Sequence, residues 1–334
     1  MNAPILSIAP MMEWTDRHFR YLVRLMTKHT RLYTEMITSG AVIHGERDRF
    51  LKFDASEHPV ALQLGGSHPD DMRRAAVWGA RAGYDEININ VGCPSERVQS
   101  GGFGVYLMRE PDQVATCVTA MQREIDIPVT VKCRIGVDYD DSYEFLKRFI
   151  DTISQAGCNM FIVHARKAWL SGLSPKENRE VPELNYPRVY NLKQDYPHLN
   201  IIINGGIDSV EQIKTHLHHV NGVMIGRHAY KNPQFLLEVD PMFFGDDANK
   251  PNMQEIVQKY AHYVSDNLEA GVPLHSMTRH ILNVFQGVPG AKHWRRHLSE
   301  HAHKQGRGVE LIHEGLDMIN RYQSHENEVM SLYS

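Results

Sequence analysis

Three residues have types and settings that could do chemistry at a carbon or a charged ligand: Cys93, Lys132 and His164. Cys93 lies in Asn-Val-Gly-Cys-Pro, where Gly92 keeps the approach open and Pro94 fixes the backbone. A thiol presented in this way can act as a nucleophile or as a proton donor. The other cysteines have blander settings. Cys117 falls in an apolar helical stretch, Cys158 follows an Ala-Gly turn, and Cys133 alternates with Lys132 and Arg134, so it points to the opposite side of its strand. These three read as small buried hydrophobes. Lys132 sits in Val-Thr-Val-Lys-Cys-Arg. A lysine on a buried strand is costly unless it is paired or meets an anion. It could form a Schiff base, donate to an electron-rich ring, or simply snorkel from the rim. His164 and Arg166 are two positions apart and point the same way, although a core histidine bonded to a backbone carbonyl would look the same.

Two glycine-bearing turns suggest an anion site. Asn204-Gly205-Gly206 ends one apolar run, and Gly226-Arg227 ends the next. Glycine lets backbone N–H groups approach a phosphate, and Arg227 adds charge directly behind. His216, His218, His219, His297, His301 and His303 raise a zinc reading through their HxxxH-like spacing. No acidic or cysteine partner completes a set, so they read as surface histidines and no metal is expected.

The elements that must position these residues follow from apolar periodicity. Short runs rich in Ile and Val cover Ile5–Met11, Leu32–Met36, Val60–Gly65, Glu86–Val91, Val129–Arg134, Met160–Ala165, Ile201–Gly205 and Val223–Gly226. Strands buried on both faces have this composition. Helical spacing occupies Asp16–Lys28, Pro69–Ala82, Pro111–Arg123, Ser142–Ala156 and Ser209–Leu217, with prolines or caps at their starts. Eight strands alternating with helices predict an α/β fold, a (β/α)8 TIM barrel. The C-terminal ends of its strands would gather Pro10, Met11, Met12, Gln63, Asn90, Cys93, Lys132, Arg134, His164, Arg166, Asn204, Gly205, Gly206, Gly226 and Arg227. Phe243–Asn252 reads as a polar linker. Helical patterns over Met253–Leu268, His275–Gln286, Ala291–His303 and Gly308–Tyr322 predict a small C-terminal helical bundle domain. The expected domains are 1–242 and 253–330.

Composition limits the function classes. The chain has 334 residues, 42% hydrophobic and 23% charged, with four cysteines and no CxxC pair. That fits a reducing compartment rather than a disulfide scaffold. No apolar run reaches the length of a membrane span, and Met1 to Pro10 lacks the pattern of a secretory signal, so a cytoplasmic location is expected. The formal net charge of −4 means that any nucleic-acid binding must rest on local patches.

The order Ala-Pro-Met, Gln63, Asn88–Glu96, Lys132–Gly136, His164–Arg166, Asn204–Gly206 and Gly226-Arg227 resembles the tRNA-dihydrouridine synthases, with Asn-x-Gly-Cys-Pro the most specific element. The resemblance runs from about Ala3 to Tyr322. His164–Glu180 and Gln286–Arg296 are similar to the bacterial branch that acts on the D loop at tRNA positions 20 and 20a. The resemblance implies FMN at the barrel mouth, with its phosphate on Asn204, Gly205, Gly206, Gly226 and Arg227. Pro10, Met11 and Met12 would line the ring, and Gln63, Lys132 and His164 would bind it. NADPH would reduce the flavin. A hydride would pass to carbon-6 of the uracil, and Cys93 would give a proton to carbon-5. Asn90, Arg134 and Arg166 would serve the substrate uridine.

A base stacked inside folded tRNA must be turned out, at a cost of a few kcal/mol that phosphate contacts must offset. Local basic residues could supply those contacts: Lys167, Lys176 and Arg179 after the sixth run, then Lys292, Arg295 and Arg296, with Lys304 and Arg307 beyond. Trp294, among them, fits stacking on a base or packing in a core. The expected partner is tRNA, with no membrane or metal, and the free protein is expected to be a monomer. The alternatives are a flavin barrel reducing a free pyrimidine, a non-catalytic tRNA-binding protein and, more distantly, a Schiff-base aldolase.

Overall fold

In a computed structural model the chain is described over residues 3–246 and 251–332, with side chains described to residue 324. Among the described residues, nine strands form one all-parallel sheet. They are β1 (Ile5–Ile8), β2 (Leu32–Tyr33), β3 (Ile37–Thr38), β4 (Val60–Gly65), β5 (Glu86–Val91), β6 (Val129–Arg134), β7 (Met160–His164), β8 (Asn200–Asn204) and β9 (Gly222–Ile225). Hydrogen bonding runs β1-β9-β8-β7-β6-β5-β4-β2, and a parallel bridge from Ser7 to Arg31 joins β1 to the start of β2. The ring therefore closes. β3 also pairs with β4, so β2 and β3 share one of the eight barrel positions. This is the expected (β/α)8 barrel. The expected strands at Val60–Gly65, Glu86–Val91 and Val129–Arg134 agree to the residue.

The helices after the strands start where the sequence supplies caps. The Ser142 side chain accepts from the Phe145 N–H at 3.0 Å and Ser209 from the Gln212 N–H at 3.2 Å, each satisfying a donor that the first helical turn leaves open. Pro69 and Pro111 stand in the first turns of Pro69–Ala82 and Pro111–Gln122, where no N–H is needed. The helix Tyr186–Asp195, capped by Asn185, follows the long loop after β7.

The chain divides into two compact units. One is Met1–Arg17 with His29–Gly226; the other is His18–Lys28 with Arg227–Ser334. The segment 18–28, expected within the first domain, is thus grouped with the second unit. Its aromatic residues explain this: Tyr21 stacks on Tyr263 at 3.9 Å, Phe19 meets Tyr230, and His18 bonds the Tyr263 hydroxyl at 2.8 Å. The second unit also contains Met253–Glu269, Leu274–Thr278, Ala291–His301 and Glu310–Leu332. The helix expected over His275–Gln286 is shorter, and continues only as a single tight turn at Arg279–Ile281. Trp294 is fully buried, edge-on to Phe285 at 5.0 Å, with its indole N–H on the Ile281 carbonyl at 2.8 Å. Its role is packing. Residues 247–250 of the expected linker lie outside the described residues. Among the described residues no helix is long and apolar enough to cross a membrane.

Candidate active site

Strand register builds the site in layers. Arg134, His164, Asn204 and Met224 are successive cross-strand partners at the C-terminal end of the barrel. One layer deeper, Asn90, Lys132, Ile162 and Ile202 are partners in the same way. Because side chains alternate along a strand, each layer faces one side of the sheet.

Cys93 is half-buried just beyond β5, whereas Cys117, Cys133 and Cys158 are buried. Burial pushes the thiols of those three up to about 12. Cys93 is held by its own strand. The Asn90 side-chain oxygen accepts from the N–H groups of Gly92 at 3.1 Å and Cys93 at 2.9 Å, and the thiol lies 3.5 Å from the Ser95 hydroxyl. Gly104, at φ 72°, closes under this turn. A Cβ there would come within 2.6 Å of the Cys93 carbonyl oxygen, so only glycine fits.

Lys132 is half-buried, and among the described residues no carboxylate pairs with it. Burial first, and then the Arg134 charge, bring its ammonium down to about 8. His164 is held well below the usual imidazole range by burial, then by the charges of Arg134, Lys132 and Arg166. Its ring is therefore neutral near pH 7, and its buried Nδ1 has no hydrogen-bond partner among the described residues. An unpaired cation beside an unsatisfied imidazole nitrogen suits an anionic, hydrogen-bonding ligand.

Arg134, expected to contact RNA, is buried and bonded within the protein. It is 5% exposed, and it donates to the carbonyls of Gly92 at 2.9 Å, Lys167 at 3.0 Å and Asn178 at 2.9 Å. Burial brings it down to about 10. It ties the Cys93 turn to the long loop after β7. Fully buried Asn178 secures the same loop from within, accepting from the Trp169 N–H at 2.7 Å and donating to the Trp169 carbonyl at 2.9 Å. Arg166 also donates into this loop, to the carbonyl of Pro182. Lys167 pairs with Asp141 at 2.7 Å and lies 4.4 Å over the Trp169 ring. Lys176 and Arg179 are exposed on the loop.

Gln63 is 1% exposed, and its carboxamide is engaged at both ends. It donates to the Asn88 oxygen at 2.8 Å and accepts from the Asn90 amide at 2.8 Å. One N–H and one lone pair remain for a ligand. In the β1 loop, Met11 and Thr15 bond each other in both directions, and Met12 is left 59% exposed. Pro10 and Met11 are partly buried beside it.

Beyond β8, Gly205 and Gly206 have φ of 115° and 70°, values that favour glycine. Asn204 crosses to the Met224 carbonyl at 2.7 Å, and the Tyr186 hydroxyl donates to the Gly205 carbonyl at 2.8 Å. A Cβ on Gly226 would meet only Ala9 at 4.0 Å, so its backbone is open to an approaching group. Arg227 follows directly and opens the helix Arg227–Lys231. This open, glycine-lined turn fits a phosphate.

In the second unit, Lys292 and Arg296 are exposed and Arg295 is half-buried; Arg296 pairs with Glu300 at 2.8 Å. His216 was expected at the surface. It is 3% exposed instead, bonded to the Tyr190 hydroxyl at 2.7 Å, because its helix packs that face inward. Sequence reasoning missed Thr130, Glu86 and Asn178. The alternation Glu86, Asn88, Asn90 carried a signal for two of the polar positions inside the barrel, since a strand buried on both faces has little reason to repeat polar residues at period two.

The family model described as "Dihydrouridine synthase (Dus)" matches residues 7–320. The chain is 57% identical over 315 residues to a tRNA-dihydrouridine(20/20a) synthase of Vibrio parahaemolyticus, covering 94% of this chain and 96% of the relative. It is 55% identical over 314 residues to the protein of that name from Escherichia coli K12, covering 94% and 91%. Among solved structures, a 2-naphthoyl-CoA reductase complex aligns with a TM-score of 0.54 at 9% identity, over 70% of this chain and 49% of that one. That likeness concerns the fold alone.

Proposed function

The chain belongs to the dihydrouridine synthase family, and on that premise we propose that it reduces uridine to 5,6-dihydrouridine in tRNA, at D-loop positions 20 and 20a. The observation that carries this reading is the half-buried Cys93, fixed by Asn90 and within electrostatic reach of Lys132 and Arg134. FMN bound at the barrel mouth would supply a hydride for carbon-6 of the uracil and would be re-reduced by NADPH. Asn204, Gly205, Gly206 and Gly226 would hold its phosphate, with the charge of Arg227 next in the chain. Pro10, Met11 and Met12 would line the ring, Gln63 would offer its remaining N–H and lone pair, and Lys132 would place its ammonium against negative charge. His164, neutral, would use the nitrogen that has no partner among the described residues. Cys93 would give its proton to carbon-5, so that the double bond gains one hydride and one proton. That step needs a thiol held neutral and in place until the base arrives. Asn90 and Arg134 act through Cys93 and its loop, as positioning residues. Arg166, Lys176 and Arg179 border the mouth where the extruded nucleotide would enter, and Lys292, Arg295 and Arg296 would bind tRNA phosphates.

The test starts with the purified protein's visible spectrum, then NADPH, then unmodified tRNA. Flavin bands that bleach with NADPH, and dihydrouridine that falls by roughly 10²–10⁴-fold in Cys93→Ala while bleaching persists, are expected. A flavoprotein that makes no product on tRNA would move the substrate to a free pyrimidine. A colourless protein that flavin cannot reconstitute would remove the mechanism. Arg295→Ala with Arg296→Ala should weaken tRNA binding and flatten its salt dependence by about two units of slope at most, leaving the flavin spectrum unchanged. Unchanged affinity and slope would detach the helical unit from RNA binding.

A further inference from the structure

A chain of side-chain hydrogen bonds runs through the barrel interior away from Cys93. The N–H groups of Gly92 and Cys93 donate to Asn90; Asn90 donates to Gln63 at 2.8 Å; Gln63 donates to Asn88 at 2.8 Å; Asn88 donates to the Thr130 hydroxyl at 2.8 Å. Thr130 donates to Glu86 at 2.6 Å, and there the chain ends. The Glu86 carboxylate takes two further donors, the Tyr33 hydroxyl at 2.6 Å and the Arg31 guanidinium at 2.5 Å. Glu86, Asn88, Gln63 and Thr130 are each no more than 1% exposed.

Every link points the same way. This has a physical consequence, because three members of the chain, Asn90, Gln63 and Asn88, are carboxamides. A carboxamide turned by 180° exchanges its acceptor for a donor and keeps almost the same shape. Something must decide which way each one faces. Arginine has no acceptor, and burial together with Glu86 holds the Tyr33 phenol well above its usual range, so both partners only donate to Glu86. The Thr130 proton is also drawn to the carboxylate, leaving its lone pairs to accept from Asn88. Asn88 must then turn its oxygen to Gln63, Gln63 its oxygen to Asn90, and Asn90 its oxygen to the Cys93 turn. Reversing any one of them would set donor against donor, and oxygen against oxygen, in a buried site where an unmet polar group is costly.

We propose that Glu86, with Thr130 as its link, is a positioning residue for Cys93: the acceptor at the foot of this column sets the sense of every amide above it, and so presents the Asn90 oxygen to the turn that holds the thiol. The proposal rests on the reading of Cys93 as the proton donor, but its geometry can be tested without it. Cys93 is the half-buried thiol among three buried ones, so iodoacetamide followed by peptide mass analysis reports its setting in the free protein.

Three variants separate positioning from bulk stability. Thr130→Val keeps the shape of the side chain and the Glu86 pairs with Arg31 and Tyr33, but cuts the column. Thr130→Ser keeps the hydroxyl. Glu86→Gln replaces the acceptor-only terminus with an amide. In folded protein, Thr130→Val and Glu86→Gln should change the Cys93 alkylation rate by roughly tenfold, the scale of a sub-ångström displacement. They should slow uridine reduction to a similar extent. Thr130→Ser should match the parent in both. The proposal is overturned if alkylation in Thr130→Val equals the parent rate, or if Thr130→Ser is as altered as Thr130→Val. If alkylation follows the pattern and no variant, nor the parent, makes dihydrouridine, then the column stands and the functional reading falls.

Discussion

The two sides of the barrel interior solve the same packing problem with opposite chemistry. Along β4, β5 and β6 the buried positions include Gln63, Asn88, Thr130 and Glu86, hydrogen-bonded in series in that order. Along β7, β8 and β9 the corresponding residues are Ile162, Ile202 and Met224, which pack with Ala9, Tyr33 and Ala61 in one apolar cluster. Barrel interiors are usually filled by branched aliphatic layers, so the apolar side follows the rule and the polar side departs from it. Apolar contacts are non-directional and stabilise wherever they fit. Hydrogen bonds between buried amides are directional, and contribute orientation more than net stability. The orienting side carries Asn90 and the Cys93 turn at its end; the stabilising side carries Asn204 and the glycine turn.

The largest effect that would sharpen this contrast is on stability. Ile202→Ala removes a fully buried side chain from this apolar cluster, and should cost about 2–5 kcal/mol in chemical denaturation. Met224→Leu, nearly equal in volume, should cost less than about 1.5 kcal/mol. In both, the alkylation rate of Cys93 in the protein that remains folded should be that of the parent. A changed rate would mean that the two sides are mechanically one, and that the division into a stabilising side and an orienting side is wrong.

This division was partly legible in the sequence. The limits of β4, β5 and β6 follow from their apolar runs, and the polar ends of the strands mark the barrel mouth. The period-two repeat Glu86, Asn88, Asn90 is visible as well. What the repeat lacks is its partners. Thr130 lies 44 residues from Glu86, and Arg31 lies 55 residues away; only the register between strands brings them together. Arg134 shows the same limit. A charged residue at a strand end looks the same whether it faces a ligand or holds three carbonyls of its own chain, and the choice depends on where the long loop after β7 folds back. The segment 18–28 shows it for whole helices. Periodicity predicts the helix and its apolar face, but Tyr21 and Phe19 find their aromatic neighbours more than two hundred residues further on.

A smaller effect tests the boundary between the two sides, where Lys132 is the cross-strand partner of Ile162. Its ammonium, at about 8, lies below the usual lysine range near 10.4. Between those values the unfolded chain holds a proton that the folded chain has released. Stability therefore rises with pH across that window. Below about pH 8 both states are charged, and the full cost of burying the cation is present. Above the window both are neutral and the cost is gone. Lys132→Met keeps the length and removes the charge. The variant should be more stable than the parent at about pH 7, with the difference shrinking towards pH 10, as read from denaturant midpoints at several pH values. Other groups titrate in this range too, but they do so in both proteins and cancel in the difference. A variant no more stable than the parent at neutral pH would mean that Lys132 is stabilised by a partner within the protein. The barrel mouth would then lose its unpaired cation, and with it the main electrostatic reason for an anionic ligand to bind there. A gain in stability alongside lost flavin binding would instead place the cost of this lysine where function requires it, at the meeting point of the orienting and stabilising sides.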